Sequence, residues 1–242
     1  MNLDKRYFFI SDIHLGLQTP EVEKVKEKKL VEFLNFAKDN CDELIILGDL
    51  FDYWFEYRRV IQKGFFNTLT IMQSIAEKGI KIHYIIGNHD FLHRDFFEKE
   101  IGATLYFDPI VMKCNSKKFF LGHGDGLIKN DIGYKILKKL LRNRVLQFVF
   151  SLIHPDLGIK LASSTSKKSR DYTTSKDYGE SDSLFEVAKE KITEGFDYVM
   201  FGHSHRRRFE KYNAGYYVNL GTWLSQPCYG KFHNDKFEII DW

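Results

Sequence analysis

Cysteine is scarce in this sequence, with three residues among 242. Cys41, Cys114 and Cys228 are odd in number and far apart, so their spacing indicates neither a disulfide framework nor a zinc site built on paired cysteines. This cysteine usage is typical of a protein in the reducing cytoplasm.

Long apolar runs are also missing, because no stretch approaches the ~20 consecutive apolar residues that span a bilayer. The N-terminal segment MNLDKRYFFISD lacks the apolar run and the small-residue cleavage site of a secretory leader. We therefore expect a cytoplasmic protein whose membrane contact, if it makes any, is peripheral.

A strong charge of one sign is absent as well. The 36 basic and 33 acidic side chains leave a formal net charge of +3. This value is small for a nucleic-acid-binding protein, and we expect no nucleic acid as a partner. The length and the 43% apolar content are sufficient for one substantial core, so we predict one main domain over residues 1–242.

The first half of the sequence alternates apolar strands with amphipathic helices. We predict strands at 6–14, 43–52 and 80–90, and helices at 21–40 and Val60–Lys78, the second ending at Gly79. Such a βαβαβ series predicts a largely parallel sheet buried on both faces. Ligands of such sheets bind beyond the carboxyl ends of the strands.

The second half follows a different pattern. The runs on either side of Asn115-Ser116 predict an antiparallel hairpin. Residues 127–179 are interpreted as a helical insertion over the site, with two or three helices and a polar, basic loop. The core then resumes with a helix from Ser181 to about Gly195 and with strands at 196–205, 215–223 and 236–240, the first two separated by a polar crossing.

Seven residues of metal-ligating types stand where predicted strands end: Asp12, His14, Asp49, Asn88, His123, His203 and His205. In Asp-x-His and His-x-His, alternate residues of an extended segment point the same way, so each pair can reach one ion. A single residue of this kind is more often a turn former or a helix cap. Five motifs in the same strand-end position instead predict a metal centre.

The composition of this set favours two ions. Three oxygen-bearing side chains and four imidazoles are too many for one tetrahedral zinc site and suit two divalent ions that share a bridging carboxylate, for which Asp49 is the natural choice. The lack of thiolates favours manganese, iron, cobalt or zinc over magnesium, and Mn²⁺ is our first prediction. Two ions about 3.5–4 Å apart are a known arrangement for phosphate-ester hydrolysis.

We predict two catalytic residues directly after Asn88. His89 would act as a general acid or as a cation that binds the phosphoryl group, and Asp90 would hold the imidazole in its protonated form. Asp52 is a further candidate partner of the imidazole.

In the order DIH, GDLFD, GNHD, GHGD and GHSH, these motifs resemble the calcineurin-like metallophosphoesterase superfamily over most of the chain. The resemblance implies an α/β fold, a four-layer α/β/β/α sandwich, here with a helical insertion. It also implies that one ion is held by Asp12, His14, Asp49 and His205, and the other by Asp49, Asn88, His123 and His203.

Within that superfamily the segments FISDIHLG, GDLFDYW and HGDGLIKNDIGYK, with the later KLASSTSKKSR, are similar to the UDP-2,3-diacylglucosamine hydrolase family. The similarity implies cleavage of the pyrophosphate of a lipid A precursor, which releases UMP and 2,3-diacylglucosamine 1-phosphate. It further implies peripheral binding to the cytoplasmic face of the inner membrane. The sequence departs from the family at His89, where its best-known members carry Arg.

We expect the substrate to contact Asn88, His89, Asp131, Ser166, Lys167, Arg170 and His203. For two parts of this set another interpretation stays open. Asp131 can instead cap the helix that follows it, and Lys167 and Arg170 can belong to an ordinary solvated loop rather than bind a pyrophosphate.

The insertion has a basic, amphipathic character. Ile132, Ile136 and Leu140 can share an apolar helical face opposite lysines and Arg142. This face can lie on an anionic bilayer or hold acyl chains, or it can pack the insertion onto the core. Other functions stay open too: a soluble phosphodiesterase or nucleotidase, a nuclease, or a scaffold without activity.

Overall fold

The computed structural model describes residues 4–90, 92–128, 132–158, 160 and 183–242. Six strands form its first sheet: β1 (Tyr7–Ile10), β2 (Glu43–Ile46), β3 (Lys81–Ile85), β4 (Ala103–Tyr106), β10 (Cys228–His233) and β11 (Lys236–Asp241). Their spatial order is β11-β10-β1-β2-β3-β4. Strands β1 to β4 are parallel, whereas β10 is antiparallel to β1.

Five strands form the second sheet: β5 (Ile110–Cys114), β6 (Lys117–Leu121), β7 (Tyr198–Phe201), β8 (Arg208–Tyr212) and β9 (Gly215–Asn219). Their spatial order is β5-β6-β7-β9-β8, and the central β6, β7 and β9 are parallel. The predicted hairpin around Asn115-Ser116 is confirmed as β5 and β6.

Helices cover the outer face of each sheet. Helices α1 (Pro20–Asn40) and α2 (Phe66–Glu77) pack on the first sheet, and α5 (Ser183–Thr193) packs on the second. In β1, Phe8 belongs to the core under α1, whereas Phe9 belongs to the core between the sheets. Successive strand residues point to opposite faces, so this alternation buries the sheet on both sides. The four-layer α/β/β/α prediction is confirmed.

Helix α1 shows why these residues form a helix on this face. Pro20 occupies the first turn, where its missing N–H has no helical partner to lose, and the first turn also carries Glu21 and Glu23. Leu30, Phe33, Leu34 and Ala37 recur at helical spacing and are buried. This apolar stripe places α1 over β1 and brings its N-terminal turns close to the carboxyl end of that strand.

The structure corrects several predicted boundaries. Helix α2 begins at Phe66 rather than Val60, because Gly64 and Phe65 have φ angles of +100° and +57° that a right-handed helix does not allow. Gly79, with φ of +86°, follows the end of α2 as predicted. Strands β4, β8 and β10 were not predicted from the sequence. In β8 half-buried and exposed residues alternate at the edge of its sheet, and its polar sequence indicated a crossing instead.

Part of the predicted insertion is described and is helical. It contains α3 (Ile132–Leu141) and α4 (Arg144–Ser151), and the Asn143 side chain caps α4 by accepting hydrogen bonds from the backbone N–H groups of Val145 and Leu146. The predicted polar loop of the insertion lies outside the described residues. Among the helices that the structure describes, none combines the length and the apolar character needed to cross a membrane.

Candidate metal centre

The carboxyl ends of five parallel strands meet at one edge of the two sheets. Asp12, Asp49 and Asn88 follow β1, β2 and β3, while His123 follows β6 and His203 follows β7. The structure brings all seven strand-end residues together in two groups joined by one carboxylate, as the strand-end positions predict.

The first group contains Asp12, His14 and His205. The Asp12 Oδ1 atom lies 3.3 Å from His205 Nε2 and 3.9 Å from His14 Nε2, and the two Nε2 atoms are 3.0 Å apart. Asp12 and His14 are fully buried. One carboxylate oxygen and two imidazole nitrogens therefore face a common point.

The second group contains Asn88, His123 and His203. The Asn88 Oδ1 atom lies 3.0 Å from His123 Nε2 and 2.8 Å from His203 Nδ1. His123 Nδ1 donates to the Leu47 carbonyl at 2.8 Å, so Nε2 is the ring nitrogen that faces the group. Such a hydrogen bond from the second ring nitrogen is common in metal-binding histidines.

Asp49 lies between the two groups. Its Oδ2 atom is 3.2 Å from His123 Nε2 in one group and 3.8 Å from His14 Nε2 in the other. Its Oδ1 atom accepts a hydrogen bond from the backbone N–H of His89 at 3.0 Å. The carboxylate is thus oriented by the chain that carries Asn88 and is in reach of both groups.

The backbone at this edge is unusual. Five of the seven residues have φ angles in the left-handed region: Asp12, His14, Asp49, His203 and His205, with values between +51° and +66°. Such backbone costs of the order of 1–3 kcal/mol per residue and is concentrated at functional sites. A Cβ on Gly87 would overlap the Asp49 carboxylate, so the glycine permits the close approach of the β2 and β3 ends.

Several of these side chains are in the protonation states that bind a metal cation. Burial lowers the pKa of His14 to about 3 and that of His203 to about 4, so both imidazoles are neutral near pH 7. Burial opposes ionisation of Asp49, but the nearby His123 and His89 hold its pKa well below the usual range. Neutral imidazoles and ionised carboxylates are the forms that bind metal ions.

His123 and His205 differ from the other two imidazoles. Burial disfavours their protonated forms, but Asp49 raises the pKa of His123 well above its ordinary value, and Asp12 raises the pKa of His205. The carboxylates therefore draw positive charge to this edge. With oxygen and nitrogen donors and no thiolate, the residues fit divalent metal ions.

His89 lies beside the first group. Its ring centroid is 5.0 Å from that of His14, and its Nδ1 donates to the Asp52 carbonyl at 3.1 Å, with the Asp52 carboxylate 3.7 Å from the same nitrogen. His14, Asp49 and His89 also offer ligand atoms within 4.8 Å of one another. His89 is therefore placed where it could act either as a metal ligand or as a catalytic residue, and experiment must distinguish the two roles.

The structure corrects the predicted role of Asp90. This carboxylate is fully buried and accepts hydrogen bonds from the Tyr84 hydroxyl and from the backbone N–H groups of Leu50 and Gly87. These three hydrogen bonds hold the Asp90 carboxylate in the core. The side chains of Asp90 and His89, which are consecutive residues, therefore point in different directions. Asp52, and not Asp90, contacts the His89 ring.

Sequence reasoning missed the residues that support the first group. Lys26 of α1 is buried, donates to the His14 carbonyl at 2.6 Å and pairs with Glu23 at 2.8 Å. Glu23 in turn accepts from the N–H of Gly16 at 2.8 Å. The only signal was a glutamate and a lysine three residues apart on a predicted helix. That pattern is usually a solvated surface pair.

The segment after β9 supports the same edge from the other side. Asn219 donates to the Gly202 carbonyl at 2.8 Å, and the Thr222 hydroxyl donates to the Asp12 carbonyl at 2.9 Å. Trp223 is buried in the core under α1. It therefore fills a layer of that core.

The predicted substrate contacts fall into two sets. Asn88, His89 and His203 lie at the strand-end edge. Asp131, Ser166, Lys167 and Arg170 lie outside the described residues, so their predicted roles stay predictions.

The family model of the calcineurin-like phosphoesterases matches residues 5–207, which include all seven strand-end residues. UDP-2,3-diacylglucosamine hydrolase of Porphyromonas gingivalis is 31% identical over 217 residues, 83% of this chain and 83% of that protein. The protein of the same name from Haemophilus influenzae (strain PittGG) is 30% identical over 223 residues, 90% of this chain and 91% of that one.

Among solved structures, that of an archaeal phosphodiesterase aligns with a TM-score of 0.49 and 17% identity, over 98% of this chain and 99% of that chain. The family model covers most of the sequence and includes every motif of the site. The chain belongs to the calcineurin-like phosphoesterase family.

Proposed function

We propose that this protein hydrolyses the pyrophosphate bond of UDP-2,3-diacylglucosamine with the help of two divalent metal ions. The products would be UMP and 2,3-diacylglucosamine 1-phosphate, as a step of lipid A biosynthesis. The observation that carries the reaction class is the position of Asp49, whose carboxylate is in reach of both groups of donors. A shared carboxylate between two donor groups is the arrangement of two-metal phosphoester hydrolysis.

The substrate assignment rests on the two relatives. Both carry the name UDP-2,3-diacylglucosamine hydrolase, and each aligns with more than four fifths of this chain. An alignment of that extent includes the insertion as well as the metal-binding motifs. The substrate therefore follows from the whole chain and not from the shared motifs of the superfamily alone.

Asp12, His14, Asp49 and His205 would hold one ion, and Asp49, Asn88, His123 and His203 the other. When bound, the two ions would neutralise phosphoryl charge and lower the pKa of a water molecule. The donor set contains both nitrogen and oxygen and no sulfur, and Mn²⁺ is the ion that we propose.

The chain's own residues would contribute orientation and proton transfer. The Asp52 carbonyl accepts the Nδ1 proton of His89 and so fixes the ring. A protonated His89 would then carry its second proton on Nε2, where it can be passed to a leaving oxygen or can attract a phosphoryl oxygen. Arginine stands at this position in the best-known members of the hydrolase family, so a positive charge is the property that the two residue types share.

We further propose that residues 127–179 form an insertion that binds the membrane surface or the acyl chains of the substrate, at the cytoplasmic face of the inner membrane. Helix α4 has no buried residue, and Phe148 and Leu152 are 60% and 71% exposed. Ile136 and Leu140 of α3 are also exposed. The exposure of these side chains supports a lipid-facing role for them. Phe150 of α4 is different, because its ring centroid lies 4.6 Å from that of the buried Phe55 and it packs the insertion on the core.

The substrate assignment predicts a large preference. Purified protein with added Mn²⁺ should release UMP from UDP-2,3-diacylglucosamine in detergent micelles. Its kcat/KM should exceed that for bis(p-nitrophenyl) phosphate by at least about 10²-fold, because binding energy from remote parts of a substrate stabilises the transition state. The measurements are chromatographic quantification of released UMP and absorbance of released p-nitrophenol. Equal rates on both compounds would favour the soluble phosphodiesterase, and no hydrolysis of either would favour the scaffold.

The lipid-facing role predicts a selective loss. Phe148→Ser should lower kcat/KM for the lipid substrate about tenfold, because burial of a Phe side chain contributes about 1.5–3 kcal/mol. Activity on bis(p-nitrophenyl) phosphate should be unchanged. Val111→Ser is a matched control, since Val111 on β5 is also exposed, at 59%, but outside the insertion. Equal losses on the two substrates would favour the packing alternative.

A further inference from the structure

Lys138 of α3 forms an ion pair with Asp125, which follows His123 by two residues. Its Nζ lies 2.6 Å from Asp125 Oδ2 and donates to the Asp125 carbonyl at 3.0 Å. The Asp125 side chain is 5% exposed and that of Lys138 is 21% exposed. One ammonium group thus binds both the side chain and the backbone of the loop that carries His123.

That loop is rich in glycine, and within it the Leu127 N–H donates to the Gly124 carbonyl at 3.3 Å. Gly124 and Gly126 flank Asp125 with φ angles of +115° and +71°, and glycine loses more conformational freedom on ordering than any other residue. On the sheet side the loop is fixed by a hydrogen bond from the Gly202 N–H to the His123 carbonyl at 2.8 Å. On the side of the insertion, Lys138 supplies the contact.

The burial of the Lys138–Asp125 ion pair distinguishes it energetically from an ordinary surface ion pair. Exposed ion pairs contribute little, but here the carboxylate is buried and the ammonium is largely enclosed. His123 and His203 also attract the Asp125 carboxylate, but removal of Lys138 would take away the ammonium that contacts it directly and leave a buried charge less well compensated. The loop that carries His123 would then be free to move its carboxylate towards water.

We propose that Lys138 is a positioning residue, which holds the loop 122–127 in the geometry that His123 needs and fixes α3 at the edge of the site. The inference rests on the proposed metal centre for its effect on turnover. The contact itself does not depend on that function. Helix α3 would therefore serve the reaction on any substrate, including one without acyl chains.

The experiment compares Lys138→Met, Lys138→Arg and Lys139→Met. Lys139 is the adjacent, exposed lysine of the same helix, and its variant is the matched control. Hydrogen–deuterium exchange of the metal-free full chain should be at least about tenfold faster in peptides of 122–127 and of α3 for Lys138→Met, because the local opening free energy falls. Lys138→Arg should restore slow exchange, and Lys139→Met should match the unmodified protein.

Turnover of bis(p-nitrophenyl) phosphate gives the second readout. Lys138→Met should lower kcat about 10–100-fold, because a displacement of His123 by up to about 1 Å would misplace the reacting groups. KM should change less than threefold, and Mn²⁺ retained after dialysis should fall. Lys138→Arg should recover most of the rate, whereas Lys139→Met should leave all three quantities unchanged.

A double variant keeps the proposal open to refutation if Lys138→Met is poorly folded. Asp125→Asn removes the buried charge, so Asp125→Asn combined with Lys138→Met should lose no more activity than the worse single variant. Additive losses would overturn the proposal. So would a lower melting temperature of Lys138→Met with unchanged kcat and unchanged local exchange below that temperature.

The two proposals can fail separately. If the unmodified protein retains no metal and hydrolyses no phosphodiester, the proposed function fails, and the exchange comparison still decides whether Lys138 holds the loop. If the unmodified protein is active and Lys138→Met behaves like Lys139→Met, only the positioning role fails.

Discussion

Asp49→Asn should abolish phosphoester hydrolysis, with a loss of at least about 10⁴-fold in kcat/KM, because both ions would lose a shared anionic ligand. Asparagine is the informative replacement here. Asp49 has a φ angle of +52°, and asparagine tolerates the left-handed region better than most residues. The amide oxygen can also keep the hydrogen bond from the His89 N–H, so the backbone should stay in place while the charge is lost.

The measurement is metal content beside turnover. Elemental analysis of the dialysed protein should find about two ions per chain in the unmodified enzyme and fewer in Asp49→Asn, since a neutral amide binds a cation more weakly than a carboxylate does. Asp39→Asn serves as a control because Asp39 lies outside the site and is mostly exposed. Full metal content with substantial activity in Asp49→Asn would contradict the shared-ligand assignment.

The clustering of the seven strand-end residues was predictable from sequence because their positions follow from one rule. Parallel strands end at the same edge of a sheet, so a polar residue directly after each strand is placed near the others whatever the connecting helices do. Asp12, Asp49 and Asn88 satisfy that rule in the first sheet. His123 and His203 satisfy it in the second, where the parallel pairing of β6 and β7 was itself not predicted.

Contacts between distant segments were not predictable in the same way. Asp90 adjoins His89 in the chain, but its carboxylate is directed into the core, and the ring instead contacts Asp52, which is 37 residues away. Lys26 has the sequence context of a surface lysine, but the packing of α1 places its ammonium on the His14 carbonyl. The spacing of residues in the sequence does not predict where either side chain points, because this depends on how a helix or a turn packs against the sheet.

His89→Ala should lower kcat about 10²–10⁴-fold while both ions stay bound, which is the range expected for loss of a positioned proton donor. The ring is held by the Asp52 carbonyl and stands beside His14, so its removal takes away a group that is already oriented. His154→Ala is the control, because the His154 side chain is 74% exposed and distant in sequence from every strand-end motif. Kinetics on bis(p-nitrophenyl) phosphate and metal analysis are the two measurements.

The two roles proposed for His89 predict different results for a second replacement. A group that only attracts phosphoryl oxygens needs positive charge, so His89→Arg should recover most of the lost rate. A general acid needs a proton that it can release near neutral pH, which arginine does not provide, so His89→Arg would stay as slow as His89→Ala.

Leaving-group dependence separates the same roles independently. Phenolate is more basic than p-nitrophenolate and needs protonation more, so an acid role makes the His89→Ala defect larger for a phenyl ester than for the p-nitrophenyl ester. A charge role makes the two defects equal.

Loss of metal in His89→Ala would instead assign this residue to the ligands, together with His14 and Asp49, whose donor atoms lie within 4.8 Å of its own. In that case proton delivery to the leaving oxygen would have to come from another group, and the His89 ring would bind a metal ion rather than the substrate.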